Sequence, residues 1–266
     1  MPRTTTNLLA AALLAAVTAA GAAGCSSSSP APSTATSGPT SAPTSNVGLS
    51  GAQLQSAFKS AAAGASSVHV VGAFTQNGSP YTLDLNLNRN GTTSGSISQA
   101  GAAIPVRVVN GVTYIQLTPE FLKLQAQSDP SITAAVISLM QNKWISSQSS
   151  IGQDFASSLG GLTDYNSFIS TLLNGGTSGS ASGSASASSS PPVSLSDLTA
   201  DGTAQYNGQT VAVYKSSDGS VAYFAATGPA LPERVTAKGS EPGTITFTWN
   251  QPVTVTAPQP SEIFST

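Results

Sequence analysis

Few residues in this chain could do acid–base, nucleophilic or metal chemistry: one histidine, His69, one cysteine, Cys25, and eleven carboxylates among 266 residues. A lone histidine and a lone cysteine cannot assemble a His/Cys metal cluster or a disulfide framework, so no metal and no cofactor is expected. A serine nucleophile needs a base and a third, orienting group within hydrogen-bond reach. Serine is abundant, but no G-x-S-x-G elbow occurs, and alternation sets His69 on the face opposite Val68, Val70 and Phe74. Two acids alone could serve a hydrolase. However, Asp154, Asp164, Asp197, Asp201 and Asp218 mostly fall at predicted turns or helix starts, where capping accounts for them. Neither G-x-x-x-x-G-K-[ST] nor G-x-G-x-x-G is present, so nucleotide binding has no motif. Trp144 and Trp249 could contact lipid or sugar, although core packing is the commoner role of tryptophan at such spacings. These residues together argue against an enzyme.

Charge narrows the partners. Nine Lys and Arg stand against eleven Asp and Glu, a formal net charge of -2, and only 8% of residues are charged. The cations are scattered from Arg3 to Lys238 without a run, so no phosphate-backbone surface can form and nucleic acid is excluded as a partner.

Residues 1–24 read as a secretory signal peptide: Arg3 precedes an apolar stretch, Leu8 to Ala20, broken only by Thr18. That stretch is shorter than the roughly 20 apolar residues of a membrane span. Ala22-Ala23-Gly24-Cys25 resembles a bacterial lipobox. The resemblance implies a diacylglyceryl-modified, palmitate-bearing Cys25 at the start of the mature chain, anchored on the extracytoplasmic face of the cell membrane. The alternative is an ordinary signal peptide cleaved at an Ala-x-Ala-like site, with Cys25 a stray thiol. Residues 25–48 are rich in Ser, Pro and Thr, the composition of a tether. Without residues 1–24 the chain loses Arg3 and keeps 8 cations against 11 acids, a net charge of -3. Attachment would therefore rest on acyl chains, at about 0.8 kcal/mol per buried CH₂.

The rest, 49–266, is long enough for one large domain or two small ones. A Gly/Ser-rich stretch at 174–194 reads as an insertion in one fold, because both flanks share one pattern of short alternating strands; a domain boundary is the alternative. Tyr81, Leu83, Leu85 and Leu87 alternate with Thr82, Asp84, Asn86 and Asn88, and Ile245, Phe247 and Trp249 alternate with threonines. Period two with one dry face specifies half-buried antiparallel strands. Turn pairs suited to positive φ separate them: Asn77-Gly78, Asn90-Gly91, Asn110-Gly111, Asn207-Gly208 and Asp218-Gly219. The pattern predicts strands at 68–75, 81–88, 94–100, 104–109, 112–117, 201–206, 209–215, 220–226, 233–239 and 243–250. It predicts helices after the capping box of Ser50 and Gln53, after Thr118-Pro119-Glu120, from Asp129-Pro130 with Ile132, Val136, Leu139 and Met140 on one side, and from about Thr163. Strands, then helices, then strands give an α+β domain on an antiparallel sheet of about ten strands.

On Ser67-Val68-His69-Val70, Asn110-Gly111-Val112-Thr113-Tyr114, Trp144, Tyr206-Asn207-Gly208-Gln209-Thr210, Gly228-Pro229-Ala230-Leu231-Pro232 and Trp249-Asn250-Gln251-Pro252-Val253, the chain resembles the LppX/LprG type of actinobacterial cell-envelope lipoprotein, whose fold is similar to the LolA carrier. The resemblance implies a strongly curved half-barrel with helices on its concave face and an apolar cavity between them that holds acyl chains. The candidate lining is Leu83, Leu85, Leu87, Val106, Ile245 and Phe247 from the sheet and Phe121, Ile132, Val136, Phe168 and Leu172 from the helices. Each could equally be filled core. Two readings follow: a lipid-anchored monomer that binds or shuttles an acylated lipid, glycolipid or lipoprotein, and an envelope interaction or sensory module of the same fold with a filled core. A hydrolase stands third.

Overall fold

The computed structural model describes residues 45–76, 78–127, 129, 131–174, 195–239 and 242–264. Cys25, the signal segment, most of the tether and nearly all of the Gly/Ser-rich stretch lie outside the described residues.

In chain order the elements are α1 (Gly51–Gly64), β1 (Ser67–Gln76), β2 (Ser79–Asn88), β3 (Thr93–Gln99), β4 (Ala102–Val109), β5 (Val112–Gln116), α2 (Pro119–Ala126), α3 (Ala134–Met140), β6 (Trp144–Ser146), α4 (Ser150–Thr163), α5 (Tyr165–Asn174), β7 (Thr199–Tyr206), β8 (Gln209–Lys215), β9 (Val221–Ala225), β10 (Pro232–Ala237) and β11 (Gly243–Trp249). All eleven strands join one antiparallel sheet in the order β6-β5-β4-β3-β2-β1-β11-β10-β9-β8-β7. Two meanders run outward from the centre. They are sewn together by the first and last strands, with Val68 opposite Trp249 and Phe74 opposite Gly243. The sheet is open at β6 and β7. Eleven strands at about 4.8 Å would make a flat sheet roughly 50 Å wide, more than helices of 14 residues can cover. The sheet is instead strongly curved, a half-barrel with helices against its apolar face.

The alternating strands land as the pattern requires. Leu83, Leu85 and Leu87 are buried while Thr82 and Asp84 are exposed. The hairpins at Asn110-Gly111 and Asn207-Gly208 take positive φ at both central residues, the geometry that matches strand twist. One tight turn escaped the pattern: Ala100-Gly101 joins β3 to β4, with Ala100 itself at φ 49. Gly95, inside β3, has φ 148, and a Cβ there would collide with the carbonyl oxygen of Asp84.

Helix α1 starts on the predicted capping box, Ser50 N–H donating to Gln53 Oε1 at 2.9 Å and Gln53 N–H to Ser50 Oγ at 3.3 Å. It buries Leu54, Phe58 and Ala62, one residue per turn. Three expectations need correction. The third helix begins at Ala134, capped by Thr133, not at Asp129-Pro130; Asp129 accepts the Ser131 N–H in a turn, and Ile132 precedes the helix. Leu139 is 66% exposed, and Ile137 packs inward beside Met140 instead. Strand β6 and helix α4 were not anticipated. A Cβ at Gly152 of α4 would strike the Ser146 carbonyl of β6, so this glycine marks close packing rather than a break.

After β11 the chain continues as a strap toward the β6 edge. Asn88 donates to the Val253 carbonyl at 2.7 Å and accepts the Val253 N–H at 3.2 Å. Arg107 Nη1 reaches Thr256 O at 3.3 Å, Lys143 Nζ reaches Ser261 O at 3.0 Å, and the Phe264 N–H donates to Trp144 O at 2.7 Å. Ile263 forms a parallel bridge to Trp144, covering part of an edge that would otherwise offer unpaired backbone groups. Among the described residues no helix is long and apolar enough to cross a membrane.

Candidate ligand-binding space between sheet and helices

The apolar face supports two packed clusters. In the first, α1 and α5 lie against β1, β2, β8, β9 and β11 and bring together Leu54, Phe58, Val68, Val70, Leu83, Leu85, Leu87, Phe168, Tyr214, Phe224 and Phe247. Its rings interlock: Phe58 meets Phe224 at 6.5 Å and Trp249 at 6.2 Å, and Phe168 meets Phe247 at 6.4 Å. The second gathers Ile104, Val106, Ile115, Leu117, Phe121, Leu122 and Ile145, with Phe155 of α4 and Phe264 of the strap packed against them.

The predicted lining divides between these clusters. Leu83, Leu85, Leu87, Phe168 and Phe247 are buried in the first, with Leu172 and Ile245 half-buried against it. Val106 and Phe121 are buried in the second. Ile132 and Val136 are half-buried around the start of α3, a helix with no buried residue. Toward the β1–β2 hairpin the same inner face changes character. Phe74, Leu172, Leu173, Val235 and Ile245 are only half-buried, and the Tyr81 ring stacks on Phe74 at 5.5 Å. Of this rim only Leu172 and Ile245 stand among the predicted lining. The signal for Phe74 and Tyr81 was present in the strand alternation, which puts both on the dry face.

Polar groups tie the first cluster to the backbone. Tyr165 Oη donates to Ala62 O at 2.8 Å, and Tyr214 Oη donates to Asn46 O at 2.5 Å. Burial pushes both phenols above the ordinary tyrosine range, opposed at Tyr165 by the Arg89 charge and at Tyr214 by the hydrogen bond from Leu49 N–H. Asn46 is fully buried, its Nδ2 donating to the carbonyls of Ala225 at 2.8 Å and Gly228 at 3.1 Å.

The groups with potential chemistry are dispersed. His69 lies on the outer face, its Nε2 2.8 Å from Asp84 Oδ1. Asp201 pairs with Lys215 at 2.6 Å, and Asp164 caps α5 by accepting the Ser167 N–H at 2.8 Å. Hydrogen bonds from Ser216 and Ser220 hold Asp218 below the ordinary carboxylate range, as in a turn. Burial raises Glu233. Among the described residues no three His, Cys, Asp or Glu side chains converge as a metal site.

A separate open depression of about 520 Å³ lies beyond the end of α1, lined by Gly64, Ala65, Ser66, Asn88, Arg89, Asn90, Pro252 and Val253. None of the predicted lining residues borders it.

No family model and no curated protein matches the chain. Solved structures do. The lipoprotein LppX of Mycobacterium tuberculosis is 18% identical, over 76% of this chain and 98% of that one, with a TM-score of 0.41. LprF of Mycobacterium bovis is 13% identical, over 78% and 96%, with a TM-score of 0.44. MucB is 15% identical over 80% of this chain and 62% of its own, with a TM-score of 0.27. LppX is of the type that the sequence motifs resemble.

Proposed function

We propose that this chain is a non-catalytic, lipid-anchored protein of the extracytoplasmic face that binds or shuttles an acylated lipid between its sheet and helices. Cys25 is the anchor, residues 25–48 are the tether, and 49–266 form one domain in which 174–194 is an insertion. The observation that carries the reading is the unfinished apolar face at the β1–β2 hairpin end. There Phe74, Tyr81, Val235, Ile245, Leu172 and Leu173 stay only partly buried while the same strands are sealed one or two residue pairs away. Contiguous apolar surface at a concave end is where an acyl chain gains most from leaving water, at about 0.8 kcal/mol per CH₂.

A filled-core interaction module is the second reading, favoured by the burial of Leu83, Leu85, Leu87, Val106 and Phe121 to 4% exposure or less. Native mass spectrometry separates the two. The protein is expressed from Ser45 onward, so that Asn46 is kept, and co-purifying lipid is extracted. Lipid at a stoichiometry near one supports the carrier. A folded protein that stays empty when offered membrane lipids removes it in favour of the module.

A further inference from the structure

The depression beyond helix α1 has a chemistry of its own. Of its eight lining residues Arg89 alone is charged, and none is acidic. Four other cations are engaged: Lys215 with Asp201, Lys143 with Ser261 O, Arg107 over the Trp144 ring at 4.8 Å and Arg234 over Tyr206 at 5.8 Å. Among the described residues the exposed guanidinium of Arg89 meets no ion-pair or hydrogen-bond partner, while its backbone is fixed by an N–H bond to Ser66 O at 2.9 Å.

The side-chain acceptors of the surrounding loop are occupied. Asn88 spends its amide on Val253 and Thr92, and Asn90 Oδ1 accepts from the N–H and hydroxyl of Thr92. What the wall still presents is the Arg89 fork and the Asn90 amide N–H, the Ser66 hydroxyl being turned to Asn250 Oδ1 at 3.5 Å. Between Ser66 and Val68, the Ser67 hydroxyl is buried without a partner. Ala65, Pro252 and Val253 supply an apolar side, Val253 being 36% exposed. Acid-free and partly apolar around a free guanidinium, such a wall suits an oxyanion joined to hydrocarbon, because a guanidinium grips a phosphate bidentately.

We propose that this depression binds a phosphate group through Arg89, carried on a lipid headgroup or free, a site that extends the lipid-binding reading and rests on it for the headgroup source. The depression adjoins the first apolar cluster: its lining residues Gly64 and Asn88 follow Ala62 and Leu87, both buried in that cluster. In a chain of net charge -2 the recognition is local, not a general attraction to anionic surfaces.

A purely structural Arg89 would only offset the dipole at the α1 C-terminus, where the last turn has no basic residue of its own. The test uses the full chain in uncharged detergent micelles, titrated with inorganic phosphate, glycerol 1-phosphate, short-chain phosphatidylglycerol and the matching diacylglycerol. The expected result is that Arg89→Ala weakens glycerol 1-phosphate at least about tenfold and Arg89→Lys less, with melting temperature unchanged. Phosphatidylglycerol binding tighter than inorganic phosphate assigns the headgroup source; equal binding assigns free phosphate. Glycerol 1-phosphate binding survives even if the acyl-carrier reading fails. Diacylglycerol binding as well as phosphatidylglycerol removes the headgroup source and leaves free phosphate; equal affinity of wild type and Arg89→Ala for every phosphate probe overturns the site.

Discussion

The two apolar clusters share one sheet and differ in how they are closed. The first is closed by interlocked rings from α1, α5 and three strands, β8, β9 and β11, with two tyrosine hydroxyls bonded to backbone carbonyls. The second is closed by one aromatic pair, Phe121 with Phe155, by the end of the strap, and by an α3 that buries no side chain. Directional ring contacts and satisfied hydroxyls specify one packing; aliphatic contacts under a short exposed helix tolerate rearrangement. The first cluster is the frame, and the second is the half that can yield.

Breaking the frame has the largest expected effect. Phe58→Ala removes a fully buried ring that touches both β9 and β11, and should cost about 3–5 kcal/mol in urea unfolding. A loss below about 1 kcal/mol would show that the rings do not organise that half.

In the second half, Gly152→Ala forces a methyl group against the Ser146 carbonyl and should cost about 1–3 kcal/mol. Asn88→Ala releases the strap from β2 and should cost about 1–3 kcal/mol. Amide exchange should then rise first in β6, whose Trp144 meets the strap at Ile263 and Phe264. Faster exchange in β9 instead would contradict the separation of the two halves.

Raising pH should loosen the frame before the second half. Tyr165 and Tyr214 keep their protons better folded than unfolded, so their stabilisation is complete below the unfolded tyrosine pKa near 10 and is lost as pH rises through the higher folded values. An alkaline unfolding limb that vanishes in Tyr165→Phe together with Tyr214→Phe is the expected observation. The smallest effect belongs to Leu139→Ser, within about 0.5 kcal/mol because that side chain already faces water.

How far each half was legible in the sequence follows the same division. Ten strands were readable because a half-buried strand writes its two faces into alternate residues, as in Tyr81 to Asn88, and Asn-Gly pairs mark the hairpins. Helix α4 was illegible because its glycines and serines carry breaker signals in isolation. Only against β6 does Gly152 become the residue that permits contact. Strand β6, three residues long, has too few alternations to declare a period. Of the candidate lining, strand positions fell on the inner face as expected, while Ile132 and Val136 depended on a helix start that Asp129 diverts into a turn.

The sequence by itself determined the dry and wet faces of each strand, the helix caps, and the scarcity of reactive groups, because each depends on residues a few positions apart. Tertiary structure alone decided that first and last strands meet, that apolar residues from both meanders form one ring-packed frame, and that Arg89, Ser66 and Val253 border one depression. Those outcomes depend on contacts between residues more than a hundred positions apart, such as Asn88 with Val253, and no local periodicity encodes which distant surfaces will exclude water from each other.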